Sequence, residues 1–213
     1  MTTKDDFTFD EHFHVYRLNG NIIPSVTKII RTVAGKDLSH VPPDVLKKAA
    51  DRGTAIHKEI ETGEIQSAEA KWIEQNIVRA SCKFEQQFYH TIDDFTYAGT
   101  ADIVASDTLF DIKTQREIDI LSWALQLNLY NLFFKKKLLK VLHTPNTGAF
   151  AIVDIPLLPM QYIQEIICTY LNGTRLREDF MNTREDKKEV VEMPPLALNL
   201  EVVEQNIGTL NTN

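Results

Sequence analysis

The chain has 213 residues, of which 43% are apolar and 25% charged, and a net charge of −7. That composition is ordinary for a soluble globular protein with one sizeable core, and no apolar run approaches the ~18 residues of a membrane span. The acidic balance argues against a protein that simply coats nucleic acid. It leaves open an enzyme acting on nucleic acid, because active-site acids count as negative until a metal binds and phosphate contact needs only a local basic patch. Two cysteines, Cys82 and Cys168, occur without a CxxC pair. A zinc finger or disulfide framework is therefore not expected, and a four-cysteine iron–sulfur cluster is impossible within one chain. Both are expected to be buried, reduced thiols of a cytoplasmic protein. The opening MTTKDDFTFDEHF has no apolar stretch of the kind found in a secretory leader.

Residues 12–17 (HFHVYR) read as a strand, followed by a turn at Leu18-Asn19-Gly20-Asn21 and a short return at Ile22-Ile23. Ser25 is placed to cap a helix over 26–33. After a loop over 35–43, residues from Asp44 onward form one helix ending at Gly63. Gly53 inside it costs ~1 kcal/mol relative to alanine, which predicts close approach of another element. Residues 67–82 form a second helix, with Ala70, Ile73, Ile77 and Ala80 at helical spacing. A strand over 84–89 and a turn at Asp93-Asp94 follow, then two strands either side of Ala105-Ser106-Asp107. Residues 119–136 form a helix with a stripe of Leu121, Leu125, Leu129, Leu132 and Phe133. Strands over 138–142 and 149–155 flank a turn at 145–148, and the last helix covers 160–176. Residues 184–213, with the run REDKKE, read as an acidic, loosely ordered tail after a single domain over 1–183. This order predicts an α/β (α+β) domain with a mixed central β-sheet flanked by helices.

The stretch from Tyr97 to Thr114, YAGTADIVASDTLFDIKT, is where chemistry is expected. The period of two puts Asp111 and Lys113 on one face and Ile112 in the core. If the two runs pair as a hairpin, Asp102 approaches Asp111. Two carboxylates sharing one site resist ionisation unless a proton or cation relieves them, and a divalent metal is the simplest relief. Gly99 lets the backbone approach another group closely. Gln126 and Tyr130 share a helix face, read either as a polar pair capping the core or as part of the site. His57 and Glu61 stand one turn apart on the helix carrying Gly53, where a solvated face is the competing reading. Lys47, Lys48 and Arg52 before His57, and Lys135, Lys136, Lys137 and Lys140 after the later helix, fit either phosphate contact or ordinary surface charge.

Taken in order, the chain resembles the PD-(D/E)XK nuclease superfamily, in its RecB-like and lambda-exonuclease-like branch. The matching residues are PSVTKII (24–30), RGTAIHKEIE (52–61), Glu85, YAGTAD (97–102), DIKT (111–114) and QLNLY (126–130), within a motif core over 24–154. As a set these motifs are specific; none is so alone. The resemblance implies a restriction-endonuclease-like core and hydrolysis of phosphodiester bonds. Asp102 and Asp111, with the Ile112 backbone carbonyl, would bind one or two Mg²⁺ or Mn²⁺ ions as hard oxygen ligands. His57 would join the metal site, an imidazole suiting Mn²⁺ better than Mg²⁺. Glu85 would be the additional acid, and Lys113 would orient or deprotonate the attacking water. Glu61, Arg52, Thr114, Gln126 and Tyr130 would support the site or contact DNA.

The implied function is a deoxyribonuclease, more an exonuclease on DNA ends than a site-specific endonuclease, since no separate sequence-reading module is legible. Its implied setting is recombination, repair or phage DNA processing, with a strand-annealing protein or helicase as partner and a homo-oligomer as one assembly. A GxxxxGK[ST] phosphate loop is absent from the sequence, so any motor would be a separate chain. A non-catalytic nucleic-acid-binding or assembly subunit of the same fold is the alternative from another class. A nuclease acting on RNA or branched DNA is the third.

Overall fold

A computed structural model describes residues 6–177 and 180–181; the tail expected over 184–213 lies outside them. The chain begins with an antiparallel three-stranded sheet, β1 (Phe7–Asp10), β2 (Val15–Leu18) and β3 (Asn21–Ile23). The single strand expected over 12–17 is corrected to a hairpin. Asp10 Oδ1 accepts the Phe13 N–H at 3.0 Å, closing a side-chain-mediated turn that takes His12 and Phe13 out of the ladder. Helix α1 (Val26–Ala34) starts where Ser25 accepts the Lys28 N–H, as expected of an N-cap. Helix α2 (Pro43–Thr62) ends at Gly63, whose φ of 79° makes it a left-handed C-cap.

The helix expected over 67–82 is shorter, α3 (Ala68–Gln75), followed by a 3₁₀ turn at Arg79–Ser81. Asn76 terminates it by donating its side-chain amide to the Trp72 carbonyl at 2.7 Å and its backbone N–H to the Ile73 carbonyl at 2.9 Å. Those bonds satisfy the last turn locally, so the helix does not propagate. Next come β4 (Lys83–Ile92), β5 (Phe95–Val104), β6 (Thr108–Lys113), α4 (Ile120–Phe134), β7 (Leu138–His143), β8 (Ala151–Ile155) and α5 (Met160–Leu171). The last helix stops five residues earlier than expected, at Asn172-Gly173, with Gly173 at φ 63°.

The five strands β4 to β8 form one sheet in sequence order. Neighbours are antiparallel except β6 and β7, which are parallel and joined through α4. This mixed sheet carries α1, α4 and α5 against one face and α2 with α3 against the other, each layer with its own cluster of buried side chains. The protein is thus of the mixed α/β class, with helices flanking a central sheet. Helix α4 is not the amphipathic stripe expected: Trp123, Ala124, Leu125, Leu127, Asn128, Leu129 and Tyr130 are all buried, around most of its circumference, while Phe133 is 46% exposed. A helix enclosed by a sheet and two other helices has little solvent face to keep polar. Cys168 is exposed and Cys82 half-buried, both as free thiols, which corrects the expectation of two buried ones. Among the described residues, no helix is long and apolar enough to cross a membrane.

Alternation along β4 and β5 breaks at one place. Phe84 packs into the α2–α3 layer and Phe88 into the opposite layer, although equal parity puts both on one face of a regular strand. Ile103 and Ala101 divide in the same way. Between them lie Glu85, at φ 48° within a strand, and Asp102. The register 84–103 and 86–101 places these two acids opposite each other.

Candidate metal-binding active site

Strand β6 ends between its two neighbours, and that position organises the site. Its ladder with β5 includes Ile103–Phe110 and Val104–Leu109, after which the strands diverge around Asp102 and Asp111. Its far edge stays paired to β7, where Thr144 N–H donates to the Lys113 carbonyl at 2.8 Å. Carbonyls alternate edges along a strand, so the Ile112 carbonyl faces the opening toward β5. The Ile112 N–H confirms that edge by donating to Asp102 Oδ2 at 2.6 Å. The Ile112 side chain is buried in the α2–α3 layer, as its core position predicts. A plain isoleucine therefore supplies only backbone to the site.

Asp111, 1% exposed, and Lys113 share the other face, under α4. Lys113 Nζ stands 2.7 Å from Asp111 Oδ2 and donates to Gln126 Oε1 at 2.8 Å. Gln126 Nε2 donates to Asp111 Oδ1 at 2.8 Å and to the Tyr130 hydroxyl at 3.1 Å. A carboxylate only accepts and an ammonium only donates, so one orientation of the Gln126 amide serves both neighbours. Asp111 Oδ2 is held by the Lys113 ion pair alone. Burial pushes the Asp111 carboxyl up to about 6 in spite of Lys113. Burial, with Asp111 and Asp102 nearby, holds the Tyr130 phenol well above its usual value, and so neutral. A Cβ on Gly99 would fall 2.8 Å from the Tyr130 ring and 3.0 Å from Phe88. The expected close approach at Gly99 is thus to these two rings, which lock α4 against β5.

The opposite wall comes from α2 and β4. His57 Nδ1 lies 3.6 Å from Glu85 Oε1 and 3.6 Å from Asp102 Oδ1. One ligand atom from each of His57, Glu85 and Asp102 falls within 4.8 Å of the others, a spread one cation can span. Burial alone would lower the imidazole, but Asp102 and Glu85 outweigh it and lift His57 to about 9. Burial likewise raises Asp102, against the pull of His57 and Lys113. Two hard carboxylates and an imidazole, next to the buried third carboxylate of Asp111, match the donor set of a divalent ion such as Mg²⁺ or Mn²⁺. Asp111 is the expected ligand outside that triad; it lines the same pocket but is drawn toward Lys113.

The remaining expected residues divide. Arg52 is turned inward, donating to the Thr114 and Thr144 carbonyls at 2.9 Å each and to Glu69 Oε1 at 2.6 Å. It ties α2 and α3 to the ends of β6 and β7, a supporting role. A Cβ on Gly53 would sit 3.3 Å from Thr114 Oγ1, the close approach its place in a helix predicts. Glu61 pairs with Lys58 at 2.9 Å on the outer rim, away from the His57 triad. Lys47, Lys48 and Lys140 pair with Asp51, Asp44 and Asp154, and Lys136 Nζ donates to the Ser106 carbonyl. These arrangements match the surface-charge reading.

The pocket of about 220 Å³ is also lined by His14 and Tyr16, which the motif reading missed, and by Ser25, Thr27 and Thr100, which lie inside the matching motifs without having been singled out for the site. Tyr16 reaches it because Ala98 N–H donates to the Pro24 carbonyl at 2.9 Å, pinning the first sheet onto β5. The Tyr16 hydroxyl then lies 2.8 Å from Thr100 Oγ1. The aromatic density of HFHVYR is the one signal that pointed there.

Neither the known protein-family models nor the curated proteins contain a match to this chain. Among solved structures it is similar to the crystal structure of SSO0001, at 18% identity with a TM-score of 0.50, over 70% of this chain and 74% of that one. At that identity the likeness is one of fold.

Proposed function

We propose that this chain is a metal-dependent deoxyribonuclease of the PD-(D/E)XK superfamily, built on a restriction-endonuclease-like core. The proposal extends to an exonuclease acting on DNA ends during recombination, repair or phage DNA processing. The observation that carries it is the convergence of Asp102, Asp111, Lys113 and Gln126 with His57 and Glu85 around one pocket. They come from five strands and helices, including β6, which ends there. A fold has no structural use for three acids in a partly buried site, since each costs desolvation and repels the others.

His57, Glu85 and Asp102, with the Ile112 carbonyl and Asp111 at their side, would hold Mg²⁺ or Mn²⁺. When bound, the ion would supply Lewis acidity at the phosphoryl oxygens and charge relief for the departing alkoxide. Asp111 and Gln126 fix the Lys113 ammonium at the pocket wall, where it orients the attacking water and offsets the negative charge that develops on phosphorus. Water adds to phosphorus, the P–O bond to the leaving oxygen breaks, and that oxygen takes up a proton.

Purified protein incubated with end-labelled linear DNA and Mg²⁺ or Mn²⁺ should release nucleotides, while Lys113→Ala and Asp102→Ala should not. Equal inertness of all three with every metal, or equal activity, overturns the assignment.

A further inference from the structure

The catalytic pocket opens into a wider cavity of about 590 Å³, a size common among ligand sites, which run ~300–1,000 Å³. The two share His14, His57, Glu85 and Thr100. The roof of the outer cavity is the β1–β2 hairpin. Half-buried Phe9 stacks on buried Tyr16, with centroids 4.5 Å apart and planes at 23°, and His14 meets Phe9 edge-on at 5.1 Å. Tyr16 is tied by its hydroxyl to Thr100 on β5, so the aromatic group is fixed to the strand that carries Asp102. His14 is exposed and held at φ 51°, a conformation a non-glycine residue adopts at a cost of roughly 1–2 kcal/mol.

The rim of this cavity carries Glu11, Glu61 and Glu85, with Lys58 paired to Glu61 among them, so carboxylates are in excess. Carboxylates repel a phosphate. An uncharged nucleobase instead offers a π face to His14, an edge to Phe9 and N–H donors to the acids. The other outlet of the catalytic pocket, past Thr27 and Gln126, is a cavity of about 620 Å³ where Arg31, Lys36 and Arg116 stand among Asp37, Glu117 and Asp119. Lys36 is engaged by Glu117 and Asp119. Among the described residues, Arg31 and Arg116 have no ion-pair partner. The site thus has an aromatic side richer in carboxylates and a side with two guanidiniums available to phosphate.

We propose that the outer cavity is a nucleobase subsite, where a base beside the scissile phosphate stacks on the exposed His14 ring and meets Phe9 edge-on, while the strand leaves past Arg31 and Arg116. A base paired and stacked within a duplex cannot present its face to these rings, so the subsite selects an unpaired strand or a frayed end. This inference rests on the nuclease reading for what lies at the phosphate, but base stacking can be measured without cleavage.

The test uses single-stranded oligonucleotides carrying 2-aminopurine at each of the three nucleotides nearest either end, with Ca²⁺ for binding and Mg²⁺ for cleavage. Stacking quenches the probe at one position in the wild type. That quenching is lost in His14→Ala, which alters an exposed side chain, and in Phe9→Leu, which keeps apolar bulk. KM for single-stranded DNA rises on the order of tenfold in both variants, with kcat nearly unchanged. An abasic nucleotide at that position brings the wild type to the variants' level and costs the variants nothing more; this arm needs no mutation and so no assumption about folding. Quenching at no position, or abasic and intact strands bound and cut alike, overturns the proposal. Quenching without cleavage of any DNA by the wild type leaves the base subsite standing and removes the nuclease reading instead.

Discussion

The two walls of the pocket are built on opposite principles. On the α4 side, Lys113, Gln126, Asp111 and Tyr130 form a chain of hydrogen bonds with alternating donors and acceptors. On the α2–β4 side, His57, Glu85 and Asp102 face one another at 3.6 Å across His57, and Glu85 sits in a left-handed conformation. The first wall matches its donors to its acceptors, whereas in the second two carboxylates share a single imidazole, which they hold protonated up to about pH 9. Preorganisation and deliberate imbalance therefore sit within one cavity, the former suited to placing a proton-handling group and the latter to capturing a cation.

Separating the walls by mutation should separate their tasks. Lys113→Ala should lower cleavage by ~10²–10⁴-fold, the usual worth of a positioned acid–base group. It should preserve the rise in melting temperature on adding Mn²⁺, whereas Asp102→Ala should abolish both. Single-turnover assays beside thermal shift read this directly, and loss of both in Lys113→Ala would show that the walls do not act separately. Arg52→Ala removes three bonds from a charged donor, only 27% exposed, and leaves two strand-end carbonyls to find new partners. A loss of about 2 kcal/mol is expected, seen as a melting temperature lower by about 4–8 °C.

Glu85→Gly sharpens the comparison from the other side. It removes an acid from the charged wall and relieves roughly 1 kcal/mol of backbone strain. The metal-free protein should melt higher, while metal affinity and cleavage fall. Lower stability together with lower affinity would mean that Glu85 is a structural residue.

The last comparison is in pH. The folded state raises His57 from 6.5 to about 9, so its contribution to stability is complete below pH 6.5 and lost as pH rises through about 9. Asp111, raised from 3.8 to about 6, follows the same sign between those values. Metal-free protein should therefore lose stability from pH 6.5 to 9. The stabilisation by Mg²⁺ should grow over that interval, because the cation no longer competes with the imidazole proton. Differential scanning fluorimetry with and without Mg²⁺ checks it; a shift independent of pH would place His57 outside the cation site.

The residues legible in the sequence were those whose identity is itself the message. Asp111 and Lys113 could be read because strand alternation fixes which side chains share a face, Asp102 because a hairpin brings its strand beside theirs, and Gln126 with Tyr130 because a helix turn aligns them. Ser25 and Gly63 marked helix ends through local backbone chemistry. Arg52 could not be separated from a phosphate contact, since two of its partners are backbone carbonyls, which leave no trace in residue type. The conformation of Glu85 was equally hidden, glutamate having no preference for positive φ. The hairpin carrying His14 and Tyr16 depended on a bond from Ala98 to Pro24, a pairing between remote segments that no periodicity encodes. Asn76 shows the converse case: one side chain outweighed a helical pattern running through Ile77 and Ala80.

The fork of Arg52 has a consequence for how the site can vary. Arg52 and His57 lie on one helix, little more than a turn apart, and the Thr114 carbonyl directly follows Lys113. One guanidinium, seated through the glycine gap at position 53, therefore acts as a gauge block between the imidazole and the ammonium. The separation of the two groups is insulated from the outward face of α2, where the Lys47–Asp51 and Lys48–Asp44 pairs lie in solvent. That outer face can drift in sequence, or accept a label or a fusion, without altering the working distance inside.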